Sequence, residues 1–391
     1  MRTIYCDYNA TTPVDPRVVE AMLPWLAEHH GNPSSAHAFG RAAREAVEAA
    51  RAQVAAMLEV APPELVFTGS GTEANNSVLW ALARQRAFSG HLVLSAIEHP
   101  SILAAATELE ALGVRVSRVA PSREGVVEVE TVVGELTDET FGVALMLANN
   151  ELGTVQPVRQ VAEACRRRGV PVLTDAVQAV GKIDVLPNDL GVDYLVIAAH
   201  KFYGPLGAAA LWVRPGASYE PLLVGGGQER RRRAGTENVP ALVGLGTAAE
   251  LVRAELVEGQ RRMAALRDRF EQGLAVVPDV VLHATGVERL PNTSHPALLG
   301  TQAHDLMIRL DLAGYAVSTG SACGSGAVSL SSTLAAVGMA EKEALASLRV
   351  SFGWPSTREE VDGLLAAIER EVAALRSAER HRAELLAGGG S

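Results

Sequence analysis

Cysteine is scarce in this chain: Cys6, Cys165 and Cys323 are spread over 391 positions. The number is odd and the gaps are wide, which excludes a disulfide framework and zinc-type ligand spacing. Long apolar runs are missing too, and nothing approaches the roughly 18 residues of a membrane helix. The opening MRTIYCDYNATTP has no apolar leader core and no small-residue cleavage site, so a cytoplasmic protein with reduced thiols is expected. Positive charge is not in excess. Lys and Arg number 35 against 45 Asp and Glu, a net charge of −10, which argues against a general nucleic-acid surface. No internal repeat is visible. A thiol in such a chain is either inert packing or chemistry.

What is present is an ordinary globular composition, 48% hydrophobic and 20% charged, in a chain long for one compact unit. Apolar, β-branched runs at 65–68, 91–95, 114–119, 142–147, 170–174, 194–198 and 208–213 read as seven strands. Most are continuously apolar, the pattern of strands covered on both faces. Helix-like stretches at 41–58, 73–87, 101–112 and 158–168 lie between them. The alternation implies an α/β fold with a mainly parallel, doubly wound sheet, whose ligands sit at the carboxyl ends of the strands. Beyond about residue 250 the pattern changes. A charged helical run over 244–276 is expected to lead away from the sheet, followed by short strand signals near 280–283, 291–295 and 317–319 and a helix over 358–386. This reads as a smaller α+β domain.

The strongest local signal is Tyr194-Leu-Val-Ile-Ala-Ala-His-Lys-Phe-Tyr-Gly-Pro, which delivers His200 and Lys201 to the end of a buried strand. A lysine partly withdrawn from water loses its proton readily and attacks aldehydes to form a Schiff base. A lysine snorkelling to the surface is the plain alternative. Asp175 and Gln178 end the preceding strand. A pyridine-ring cofactor needs a carboxylate at its ring nitrogen, and Gln178 suits the ring hydroxyl; helix capping is the alternative for Asp175. Thr68-Gly-Ser-Gly-Thr-Glu-Ala-Asn-Asn, a strand, glycine turn and helix start, offers the Gly71 and Thr72 amides to a phosphate, or is a simple capping turn. His99, after Glu98, suits ring stacking and proton movement, and Asn150 suits the ring oxygen; a histidine near a helix start and turn chemistry are the alternatives.

Cys323 lies in Ser318-Thr-Gly-Ser-Ala-Cys-Gly-Ser-Gly-Ala-Val-Ser, among small and polar neighbours where a packing cysteine gains little. A loop of that composition suits a thiolate that attacks at a cofactor and then carries its cargo away; a bystander thiol is the alternative. Cys6 and Cys165 read as packing or surface residues. Arg349, on an apolar run, suits a substrate carboxylate or a structural ion pair. Arg230 to Arg233 follow three glycines and read as a solvated basic loop, or as one reaching a phosphate or another subunit.

Tyr5-Cys-Asp-Tyr-Asn-Ala-Thr-Thr-Pro, Gly31-Asn-Pro-Ser-Ser, Thr72-Glu-Ala-Asn-Asn, Glu98-His99, Asn149-Asn-Glu, Asp175-Ala-Val-Gln178, His200-Lys201, Arg233-Ala-Gly-Thr236, Gly320-Ser-Ala-Cys323 and Arg349-Val-Ser-Phe-Gly occur in one order. By that order and spacing the chain resembles the cysteine desulfurases of the NifS/IscS type, in the class V aminotransferase group of fold type I pyridoxal-phosphate enzymes. The resemblance runs nearly end to end. It implies a large cofactor domain over 15–255, and a small domain of 1–14 with 256–391 that carries the catalytic cysteine. It implies pyridoxal 5'-phosphate held through a Schiff base at Lys201, which also moves the substrate α-proton. His99 stacks on the ring, Asp175 meets the ring nitrogen, and Asn150 and Gln178 surround the ring oxygen. Gly71, Thr72 and His200 hold the phosphate, with Thr236 from the other subunit of a homodimer. Arg349 and Asn9 bind the carboxylate of L-cysteine. Cys323 takes the sulfur as a persulfide, leaving alanine, and passes it to an acceptor protein serving iron–sulfur assembly or tRNA thiolation.

No intrinsic metal, membrane or direct nucleic-acid contact is implied, although the Cys323 persulfide meets a nascent cluster in that scheme. The chain departs from the family pattern at Ala198, where a phosphate-binding Ser is common, and at Leu330-Ser-Ser, where many relatives carry Glu-Pro-Ser. Other enzyme readings are a selenocysteine lyase or a class V transaminase. The non-enzymatic reading is a cofactor-free binding partner.

Overall fold

The computed structural model describes residues 3–319 and 330–388. Seven strands form one sheet: β1 (Leu65–Thr68), β2 (His91–Ser95), β3 (Arg115–Val119), β4 (Thr140–Ala144), β5 (Val172–Asp175), β6 (Tyr194–Ala198) and β7 (Ala209–Val213). Their order is β1-β7-β6-β5-β4-β2-β3. Only β7 runs against the rest. The link from β6 to β7 is too short for a crossover helix, so the chain turns back on itself. The apolar run expected over 142–147 outlasts β4, because Leu145 and Leu147 still donate backbone bonds to Leu173 and Asp175.

The continuous apolar strands are buried on both faces. Phe67, Val93, Leu195, Ile197 and Trp212 pack into one core with the helices Ala38–Leu58 and Val239–Leu274. Their neighbours Val66, Leu92, Leu94, Val196 and Leu211 point the other way, against Gly71–Gln85 and Pro100–Ala111. This period-two division is what strand geometry requires.

β1 is an edge strand, and an ion pair covers it. Glu229 accepts the Phe67 N–H at 2.8 Å and pairs with Arg51 at 2.7 Å, both side chains being buried. Arg232 donates to the Pro63 and Leu65 carbonyls, and Arg233 pairs with Glu73. Two of the four consecutive arginines thus tie down an edge instead of standing free in solvent. Replacing Arg51 with Met strands a buried carboxylate. We expect a loss of about 3–5 kcal/mol, seen as earlier urea unfolding, with most of it restored in the Arg51→Met/Glu229→Leu double variant.

The helix Val239–Leu274 corrects the expectation that this run leaves the sheet. Its first half, including Leu242, Leu245, Ala249 and Val252, is buried in the core of the large sheet. Its second half supplies Leu266, Phe270 and Leu274 to a separate core with Leu306, Leu348, Phe352, Leu364 and Ile368. Small strands border that second core, Ile4–Tyr5 pairing with Tyr315–Ala316 and Thr293–Ser294 with Val350–Ser351. The signal near 317–319 is realised as a single bridge from Ser318 to Arg349. Cys6 and Cys165 are buried, and burial pushes both thiols up to about 12, which leaves them unreactive. No helix among the described residues is long and apolar enough to cross a membrane.

Candidate active site

The carboxyl ends of β1, β2, β4, β5 and β6 converge on one cavity of about 320 Å³. Gly71, Thr72, His99, Asn150, Asp175, Gln178, His200 and Lys201 line it, together with Ala198. Eight residues singled out from the sequence therefore meet in one place. Thr236 is exposed and does not line the cavity. Cys323 lies outside the described residues.

Lys201 follows β6 in a short helical turn. Its Nζ donates to the carbonyls of Asn9 and Ala10, at 2.6 and 2.7 Å. Burial, aided by the nearby Arg349 cation, lowers this amine to about 8, while Asp175 and Asp7 act in the opposite sense. Asp175 ends β5. Its Oδ2 accepts from Asn75 Nδ2 at 2.7 Å and its Oδ1 from the Val177 N–H.

His99 caps the helix Pro100–Ala111. The Ser101 N–H donates to its Nδ1, so a neutral ring carries its proton on Nε2. Burial is the main cause keeping this imidazole below its usual range. His200 is pushed down to about 4, by burial first and then by Lys201. Glu98 sits behind His99. Its buried carboxyl accepts from Ser95 Oγ and the Met146 N–H, joining the exits of β2 and β4, and burial raises it to about 8.

The helix Gly71–Gln85 starts at the cavity, capped by Ser70. A Cβ at position 71 would come within 3.1 Å of Val177 Cγ2, so the absent side chain lets the amide end stand close to the β5 turn. Arg349 is buried; it pairs with Asp7 at 2.7 Å and donates to the Asn150 carbonyl, while its Nε has no partner. The Asn9 amide is engaged by Asn150 O, Thr293 Oγ1 and Asn292.

Sequence reasoning passed over Asp7, Asn75, Ser101 and Lys182. Asn75 had a signal, since it stands one helical turn beyond Gly71 on the same face. Asp7 had none, because its partner is 342 residues away.

The donor set fits pyridoxal phosphate. A carboxylate, a deprotonatable amine, a neutral imidazole and a helix amide end share one cavity of small-ligand size, and a buried Asn75 oxygen beside them lacks a partner.

The chain belongs to the aminotransferase class-V family, whose model matches residues 4–364. Within that family it falls among the cysteine desulfurases of the NifS/IscS type. A Clostridium botulinum protein named cysteine desulfurase IscS is 39% identical over 373 residues, 94% of each chain. A protein of that name from Dictyoglomus turgidum is 38% identical, covering 98% of each. Among solved structures, a NifS-like protein superposes with a TM-score of 0.89 at 36% identity, covering 95% of this chain and 99% of the other. The seven-stranded sheet between helices is thus a fold type I architecture.

Proposed function

We propose that the protein is a pyridoxal-phosphate-dependent cysteine desulfurase that moves the sulfur of L-cysteine to Cys323 and releases L-alanine. The observation that carries this reading is the single cavity shared by Lys201, Asp175, His99 and the Gly71 amide. The identity to proteins named cysteine desulfurase supports the substrate.

When bound, the cofactor acts as an electron sink for the substrate carbons. Lys201 Nζ would attach it and would carry the substrate's Cα proton. Asp175 would meet the ring nitrogen and favour its protonated form. His99 would cover the ring, and Asn150 and Gln178 would attend its oxygen. The Gly71 and Thr72 amides and His200 would hold the phosphate; Ala198 brings no hydroxyl. Arg349, with Asn9, holds the substrate carboxylate. The Cys323 thiolate attacks the substrate sulfur, an S–S bond forms, and the C–S bond breaks. Its electron pair stays on the substrate carbon, which takes up a proton to give alanine.

The remaining assignments belong to the same proposal. Residues 15–255 form the cofactor domain, and residues 1–14 with 256–391 the smaller domain; the two separate cores support this division. A homodimer brings the exposed Thr236 to the partner's phosphate site. The persulfide passes to an acceptor protein for iron–sulfur assembly or tRNA thiolation, and a free Cys323 thiol requires a reducing compartment such as the cytoplasm.

Incubation with L-cysteine should yield alanine and a persulfide mapped to Cys323. Alanine without a Cys323 persulfide sinks the reading. The amine supplies a pH test as well. Attack on an aldehyde needs the neutral form, so capture should rise with pH through about 8. At pH 7.5 about a quarter of Lys201 is neutral, against about one part in a thousand for an ordinary lysine. Capture of pyridoxal phosphate by cofactor-free protein, followed by absorbance, should rise about tenfold from pH 7 to 9 and then level off. A rate still climbing in proportion to hydroxide at pH 10 contradicts the lowered amine.

A further inference from the structure

Lys182 takes no part in the chemistry above, yet it is 3% exposed and lies one residue layer behind the cavity wall. Its Nζ donates to Gln178 Oε1 at 2.7 Å and to the Gln178 carbonyl at 3.0 Å. It forms no ion pair among the described residues. The charged or titratable groups facing it are Lys201, Arg349 and His200, none of them acidic. Burial first, then the like charges of Lys201 and Arg349, holds the amine well below the usual lysine range. Such a group is expensive to keep, since a methionine would fill similar space without a buried polar atom.

The contact beyond Gln178 gives Lys182 a use. Gln178 Nε2 donates to the Asn9 carbonyl at 2.8 Å, and that same oxygen accepts from Lys201 Nζ at 2.6 Å. Two lysines are therefore joined through one amide and one carbonyl. With Lys182 donating to its oxygen and Asn9 accepting from its nitrogen, the Gln178 amide has a single permitted orientation. A flip would set the amide oxygen against the Asn9 carbonyl oxygen and take from the Lys182 Nζ–H the acceptor it now has. One Nε2–H is left over, and Gln178 lines the cavity.

We propose that Lys182 is a positioning residue, locking the Gln178 amide so that its remaining Nε2–H is the donor offered to the oxygen substituent of the bound cofactor's ring. This rests on the pyridoxal-phosphate reading and deepens it. A donor at that oxygen favours its ionised form, so the lock has a spectroscopic signature that packing alone does not.

The test is a pH titration of the visible band in the loaded full-length protein, wild type against Lys182→Met, Gln178→Leu and the double variant. Lys182→Met should raise the titration midpoint by at least about 0.5 unit and weaken pyridoxal phosphate binding about threefold. The double variant should titrate like Gln178→Leu alone, because Lys182 acts through Gln178. A Lys182→Met midpoint within about 0.2 unit of wild type, or effects that simply add in the double variant, overturns the proposal. A measurement on the wild type covers a variant that fails to fold. Lys182, Lys201 and Lys342 are the only lysines of the chain, so protein labelled with 13Cε-lysine gives three resonances, with Lys342 assigned by Lys342→Arg. The Lys182 signal should shift on loading with pyridoxal phosphate, and an unmoved signal refutes the lock. Failure of the wild type to load sinks the cofactor reading itself, whereas loading without these effects sinks only the role of Lys182.

Discussion

Replacing Lys201 with alanine is expected to lower alanine formation from L-cysteine at least about 10³-fold, the scale of losing a positioned proton carrier together with covalent attachment. The fold should survive. Lys201 sits at the cavity wall after β6, and its Nζ bonds only carbonyls that the Thr12–His200 backbone bond and the Tyr203–Thr12 contact continue to position. Borohydride treatment of the loaded wild type followed by peptide mapping should place the fixed cofactor on Lys201. Lys182 is buried and hydrogen-bonded to Gln178, so label there would contradict the assignment. An alanine variant that still turned over cysteine at wild-type rate would remove the central amine from the mechanism.

Replacing Cys323 with serine should separate two halves of the chemistry. Every described group proposed to hold the cofactor remains, so uptake of pyridoxal phosphate and a spectral response to cysteine should persist. Alanine and persulfide formation should fall below about a hundredth of wild type, because a hydroxyl at neutral pH is not an effective nucleophile toward sulfur. The other two thiols offer no replacement, since Cys6 and Cys165 are buried and held near 12. Sulfur release undiminished in Cys323→Ser would exclude this thiol as the acceptor.

Much of this arrangement was legible in the residue order because the site is built from strand ends. Once 91–95, 170–174 and 194–198 are read as parallel buried strands of one sheet, the residues that follow each must come together at one edge of the sheet. His99, Asp175 and Lys201 could be located in that way. Contacts between distant segments could not. The Arg349–Asp7 pair, the Asn9–Asn292 bond and the Lys182–Gln178–Asn9 chain join segments that share no periodicity or motif. The arginine cluster stayed undecided for a related reason. Charge runs on a surface usually face water, and only the three-dimensional path shows two of these side chains reaching carbonyls and a carboxylate at the edge of β1. The helix Val239–Leu274 misled because its mixed, highly charged composition hides a narrow apolar stripe that changes partners midway.

That helix has a mechanical meaning. Its 36 residues extend about 54 Å as one unbroken rod, with one half clamped by Ala38–Leu58 and the other by the Phe270–Phe352 contact. A sharp kink at the middle would cost intrahelical hydrogen bonds, so the helix joins its two ends as one stiff member. The large-sheet core and the second core are thereby mounted on a single axle.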